Sequence, residues 1–136
     1  MNVPLLDTNV LIYAFTDDPR AARARQLLSE PFILSVQALN EFANVARRRL
    51  GMSWAEIQGA IGDISTLATA IVPLDRECNL LALDLAARFD FSIFDALMIA
   101  AALQAGSTQC FSEDMQHGLL VDRRLTVLNP FLKAGL

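Results

Sequence analysis

The chain has little positive charge and few of the residues that most polar chemistry at neutral pH relies on. It has one lysine, Lys133, and one histidine, His117, and its eleven Lys and Arg stand against fifteen Asp and Glu, for a net charge of −4. That balance excludes a protein that coats nucleic acid through a broad basic face, so any polyanion must be met locally. The two cysteines, Cys78 and Cys110, lie in apolar surroundings without the close pairing of a zinc knuckle or a redox motif, and both read as buried thiols. No apolar run reaches the roughly 18 to 20 residues of a membrane span. The N-terminus carries no basic region followed by an apolar stretch and a cleavage site, so a cytoplasmic protein is expected. Trp54 and Tyr13 are too isolated for a stacking platform and are expected in the core or an interface.

Apolar residues, in contrast, are plentiful. At 136 residues and 54% hydrophobic content, the chain is long enough for one domain with a sizeable core and too short for two, so residues 1–136 are read as one domain. Strand-like and helix-like patterns alternate along it. Val3 to Leu6 is a short buried strand, Thr8 to Phe15 a helix that stops at Asp17-Asp18-Pro19, and Arg20 to Ser29 a second, amphipathic helix. The segment "FILS", 32–35, is a second strand, and Val36 to Leu50 has a helical apolar period ended by Gly51. Ser53 and Glu56 form a capping box for the next helix, and "TAIVPL", 69–74, is a third strand. Asp75 to Phe89 is helical, "SIFDALMIAAALQAG", 92–106, is a helix buried on most sides, and "TQCFS" and "RLTVL" are the remaining strands. This order predicts an α/β domain with a mostly parallel central sheet covered on both faces.

In such sheets ligands sit beyond the carboxyl ends of the strands. Four acids fall there or in the first turns beyond: Asp7 after the first strand, Glu41 in the helix after the second, Asp95 in the first turn of the buried helix, and Asp114 after "TQCFS". Each also has a structural reading. Asp7 can cap the helix that follows, Asp95 can pair with Ser92 at a helix start, and Asp114 can be a turn residue with Glu113 as an equal claimant. Glu41 borders the apolar arc of its helix beside Ala38 and Val45, where an uncompensated carboxylate is costly. If the four converge, each like-charge pair at about 4 Å costs on the order of 4 kcal/mol at an effective dielectric of 20, so the cluster must take up protons or hold cations. No lysine is in reach by sequence, and oxygen donors of this kind select Mg²⁺ or Mn²⁺ over zinc.

With these residues in view, "LLDTNVLI", "ALNEFANV", "SIFDALMIAAAL" and "CFSEDMQHG" together resemble the four acidic motifs of PIN-domain ribonucleases, in this order and across essentially the whole chain. The likeness extends to VapC-type toxins of prokaryotic toxin-antitoxin pairs. It implies a three-layer α/β/α fold, an Mg²⁺- or Mn²⁺-dependent endoribonuclease, homodimerisation, and neutralisation by a cognate antitoxin that enters the acidic site. Residue by residue, Asp7, Glu41, Asp95 and Asp114 match the family's acids, and Thr8, Asn9 and Ser112 its supporting polar positions. One departure is the adjacent pair Glu113-Asp114, where many members separate the two acids; Asp114 is taken as the metal-facing one.

The chemistry implied is hydrolysis of RNA phosphodiesters by a metal-activated water, with Asp7 and Asp95 as principal ligands and Glu41 and Asp114 in support. Cations that could meet phosphates are Arg47 to Arg49 at the end of the Glu41 helix, Arg20, Arg23 and Arg25, and the pair Arg123-Arg124. Arg47 and Arg48, with His117 in the acidic loop, are the substrate-contact candidates, although the arginines also suit a helix C-terminus. Two rivals stay open. A phosphoryl-transfer enzyme of the haloacid-dehalogenase type also has an aspartate after its first strand, but needs a second acid where this chain has Asn9 and a lysine that could only be Lys133. A catalytically silent PIN module would bind RNA or a protein partner without cutting.

Overall fold

Alternation within the short strands sets the architecture of the computed structural model, which describes residues 2–132; Lys133 lies outside them. In β1, Leu5–Leu6, and β2, Ile33–Ser35, Leu5 and Ile33 face one core while Leu6 and Leu34 face the other. The strands are therefore buried on both sides, as a parallel sheet between two helical layers requires. On the first face, Leu5, Ile33, Val72, Cys110 and Val127 pack under α5 (Arg76–Phe89) and α6 (Ile93–Gln104). The second face is covered by α1 (Thr8–Ala14), α2 (Ala21–Leu28), α3 (Val36–Arg48) and α4 (Trp54–Leu67), with Phe32 and Phe42 fully buried among them. The result is the expected three-layer α/β/α arrangement.

The remaining strands are β3 (Ala70–Val72), β4 (Gln109–Phe111), β5 (Leu120–Val121) and β6 (Leu125–Leu128), in the spatial order β3-β2-β1-β4-β6-β5. β1 lies between β2 and β4 and is parallel to both, with Leu5 beside Ile33 on one flank and beside Cys110 on the other. Among the described strands only β5 runs antiparallel, against β6. The sequence pattern gave no hint of β5: it is two residues long, and its turn uses Asp122 and Arg123 at φ 51° and 56° where a glycine is usual. Bidentate hydrogen bonds from Arg88 to Asp122, at 2.7 and 3.0 Å, brace that turn.

Helix starts follow local side-chain chemistry. Ser53 and Glu56 form the full capping box at α4, Asp75 caps α5, and Ser35 caps α3 directly at the end of β2. α6 is buried over eight consecutive residues, Ala96 to Leu103, so a helix with little polar face sits inside its layer. Both cysteines are buried thiols. Trp54, expected in the core or an interface, lies outside the core at 57% exposure, with the Arg47 guanidinium 5.3 Å above its ring. Among the described residues no helix is long and apolar enough to cross a membrane.

Candidate active site

β1 ends at Leu6, and the next residue, Asp7, is extended and caps α1 by accepting a 2.6 Å bond from the Thr8 N–H. The capping reading and the site reading are thus one residue in one conformation. Because β1 is flanked by β2 on one side and β4 on the other, its carboxyl end is where the strand order reverses, the usual place for a ligand crevice. A cavity of about 230 Å³ opens there, lined by Asp7, Glu41, Asp95 and Asp114 from four different segments.

Each supporting polar residue donates to a different acid. The Ser112 hydroxyl, fully buried, bonds Asp7 Oδ2 at 3.0 Å; Thr8 Oγ1 bonds Glu41 Oε2 at 2.8 Å; and Asn9 Nδ2 bonds Asp114 Oδ2 at 2.6 Å. Ser112 Oγ also accepts from the Asp114 N–H at 3.3 Å, joining the first and last motifs through one hydroxyl. Ser92 caps α6 by accepting from the Asp95 N–H at 3.1 Å, which fixes the turn that carries the Asp95 carboxylate.

Among the described residues no lysine or arginine lines this cavity. Burial, partly countered by the bonds from Ser112 and Thr8 and reinforced by the charges of Asp114 and Glu41, pushes the Asp7 carboxyl up to about 6. Asp95 is raised from the ordinary carboxylate value by burial first, then by Asp114 and Glu41. Oxygen-only donors under mutual repulsion match a hard divalent cation, which takes one or two carboxylates and leaves positions for water and phosphate. Among the described residues no group of three or more His, Cys, Asp or Glu is gathered as a metal-holding cage. The site is thus an open acidic cleft whose donors suit an ion completed by water and substrate oxygens.

Glu113 does not enter the cavity. It accepts bonds from Tyr13 Oη at 2.7 Å and from Arg20 Nη1 at 2.6 Å, while Arg20 also pairs with Asp18 and lies 4.0 Å over the Tyr13 ring. Burial, followed by the bond to Glu113, pushes the Tyr13 hydroxyl up to about 12. Arg47, Arg48 and His117 are likewise not brought to the cavity lining. Arg47 donates to the Met52 carbonyl at 3.2 Å, Arg48 is exposed, and His117 Nδ1 accepts from the Asn129 N–H at 2.9 Å. Sequence reasoning missed Gln37, which donates to Glu41 Oε1 at 3.1 Å from one turn earlier on α3, and Phe94, which lines the cavity beside Asp95. The i, i+4 spacing of Gln37 and Glu41 was the available signal for the first.

Comparison with known proteins agrees with this geometry. The PIN domain family model matches residues 5–117, a span that contains all four acids. VapC20 of Mycobacterium tuberculosis, a sarcin-ricin-loop-cleaving toxin, is 22% identical at a TM-score of 0.67, over 81% of this chain and 90% of its own. A toxin-antitoxin complex from Klebsiella pneumoniae aligns at 16% identity and TM-score 0.72, over 94% and 98% of the two chains. VapBC2 from Rickettsia felis, bound to a DNA fragment from its promoter, aligns at 15% identity and TM-score 0.66, over 93% and 98%. No curated relative matches the sequence. With the family model covering most of its length and the same fold in these structures, the chain belongs to the PIN domain family.

Proposed function

We propose that this protein is a metal-dependent endoribonuclease acting as the toxin of a toxin-antitoxin pair. The observation that carries this reading is the meeting of Asp7, Glu41, Asp95 and Asp114 on one open cavity at the carboxyl end of β1, with no lysine or arginine among the described residues lining it. Asp7 and Asp95 would hold Mg²⁺ or Mn²⁺, with Asp114 and Glu41 binding through water or completing a second position. A bound ion of this kind would supply an activated water and offset charge on the phosphoryl oxygens. Ser112, Thr8 and Asn9 keep the acids in place by donating to Asp7, Glu41 and Asp114, so the carboxylates need little reorganisation when substrate arrives. Membership of the PIN family supports nuclease chemistry, and the toxin-antitoxin complexes among similar structures support a protein antitoxin as partner. The acidic cleft would accept an Arg or Lys side chain inserted by a basic antitoxin segment. We extend the reading to a homodimer in the cytoplasm, with residues 1–136 as one PIN domain.

The test is cleavage of a mixed RNA pool by purified protein with Mg²⁺ or Mn²⁺, beside EDTA and an Asp7→Asn variant whose folding is checked by thermal melt. Cutting that needs both metal and Asp7 supports the proposal. A folded wild-type protein that cuts nothing under either metal overturns it in favour of a catalytically silent PIN module.

A further inference from the structure

Beside the acidic cavity is a second, shallower depression of about 470 Å³, in the size range of small-molecule sites. It shares Gln37, Glu41, Asn44 and Phe94 with the cavity and adds Asn40. At α-helical spacing, Gln37, Asn40, Glu41, Asn44 and Arg48 fall within an arc of roughly 100° on α3. Arg48 stands seven residues beyond Glu41, about 10 Å farther along the axis. Across from this polar stripe is Phe94, in the first turn of α6 and next to Asp95, with 59% of its surface exposed. An aromatic ring left in water at that position adds little to the core. It does offer an open face at the edge of the acidic cavity.

The parts suit one occupant. An unstacked nucleobase needs an aromatic face and amide groups that can both donate and accept at its edge, and a nearby phosphate needs a cation. Asn40 and Asn44 are exposed amides on the stripe, and Arg48 is its exposed cation. We infer that this groove holds a base of single-stranded RNA beside the scissile phosphate, with the base stacked on Phe94, its edge met by Asn40 and Asn44, and Arg48 on a neighbouring phosphate. The inference rests on the ribonuclease reading for its substrate class. It adds which side chains meet the base and the neighbouring phosphate: Phe94, Asn40 and Asn44 for the first and Arg48 for the second.

The experiment measures binding of a fluorescein-labelled single-stranded RNA of mixed sequence, and of a matching RNA duplex, by anisotropy in Mg²⁺. Full-length protein in the Asp7→Asn background is used so that the RNA stays whole. Phe94→Ala and Phe94→Leu are expected to weaken single-strand binding about tenfold, while Phe94→Trp restores it. Duplex binding is expected to change less than about twofold, since paired bases cannot reach the ring. Arg48→Ala is expected to lower the slope of log K against log salt by about 0.7, and Phe94→Ala to leave that slope unchanged. The inference is overturned if Phe94→Leu binds single strands like the parent, if single strand and duplex weaken alike, or if the parent binds no RNA. It is also overturned if Phe94→Ala shifts the sedimentation coefficient, because a second copy of the chain would then cover the ring. Wild-type cleavage, measured separately, decides the ribonuclease reading: cutting with an inert Phe94 removes this inference alone, and RNA binding that depends on Phe94 without cutting removes that reading alone.

Discussion

Glu113 and Asp114, neighbours in the chain, take hold of helix α1 one turn apart: Glu113 accepts from Tyr13 at 2.7 Å and Asp114 from Asn9 at 2.6 Å. The pair therefore divides the work. Glu113, held also by Arg20, ties the loop down, and Asp114 is left to face the cavity. Asp114→Asn is expected to remove most metal-dependent cleavage. Glu113→Gln and Arg20→Ala should lower kcat by roughly tenfold, the scale seen when groups that orient metal-binding carboxylates are lost. Steady-state kinetics check this: KM should stay near the wild-type value in the Glu113 and Arg20 variants, because neither residue lines the cavity.

Metal removal should be visible without any substrate. If Mg²⁺ or Mn²⁺ binds the folded protein alone, thermal melts should shift upward with added metal, by the equivalent of about 2.7 kcal/mol at a hundred times the Kd. Asp7→Asn and Asp95→Asn should each abolish most of the shift, whereas an acid outside the site, such as Glu77, can be replaced without effect. Melts with EDTA, Mg²⁺ and Mn²⁺ on the same preparations decide it.

The carboxyl of Asp7 rises from 3.8 unfolded to about 6 folded, so the folded protein binds this proton more tightly than the unfolded chain. Its contribution to stability is fully present below pH 3.8 and is lost as pH rises through about 6. At pH 8 the ionised group is a burden of up to about 3 kcal/mol. In EDTA, Asp7→Asn should therefore melt higher than wild type at pH 8, and the gap should close as pH falls toward 4. Urea titrations at several pH values measure it.

Ser112 is buried and serves both Asp7 and Asp114. Ser112→Ala leaves those groups short of a partner, at a cost of about 1–3 kcal/mol. Cleavage should fall as well, and Ser112→Thr should recover part of it where the extra methyl is tolerated. The paired readouts are the midpoint of chemical denaturation and kcat.

The alternation of β-branched runs with helical periods was enough to order five of the six strands, because each is bounded by a cap or a turn residue. β5 escaped because a two-residue strand has no period and its turn relies on Asp122 and Arg123 in left-handed conformations. Asp7, Asp95 and Asp114 were legible since each follows a strand or opens a helix, and Glu41 because it is a carboxylate bordering the apolar arc of α3. Their partners were harder to see, because Ser112 meets Asp7 across 105 positions and Thr8 meets Glu41 across 33, and no local pattern encodes such pairs. The resemblance to a family named Thr8, Asn9 and Ser112 but not the acid each would serve. Phe94 read as one more apolar residue of the α6 run, since exposure is a property of packing.

The pairing of β1 with β4 also sets an order on synthesis. Leu5 finds Ile33 on one flank early, but on the other flank Leu5 and Leu6 find Cys110 and Phe111, so that side of the strand preceding Asp7 waits for a segment about a hundred residues later. Such long-range pairing is slow to form. A chain that ends before β4 has neither Ser112 nor Asp114, so the acidic cleft is complete only once that late segment has folded against β1.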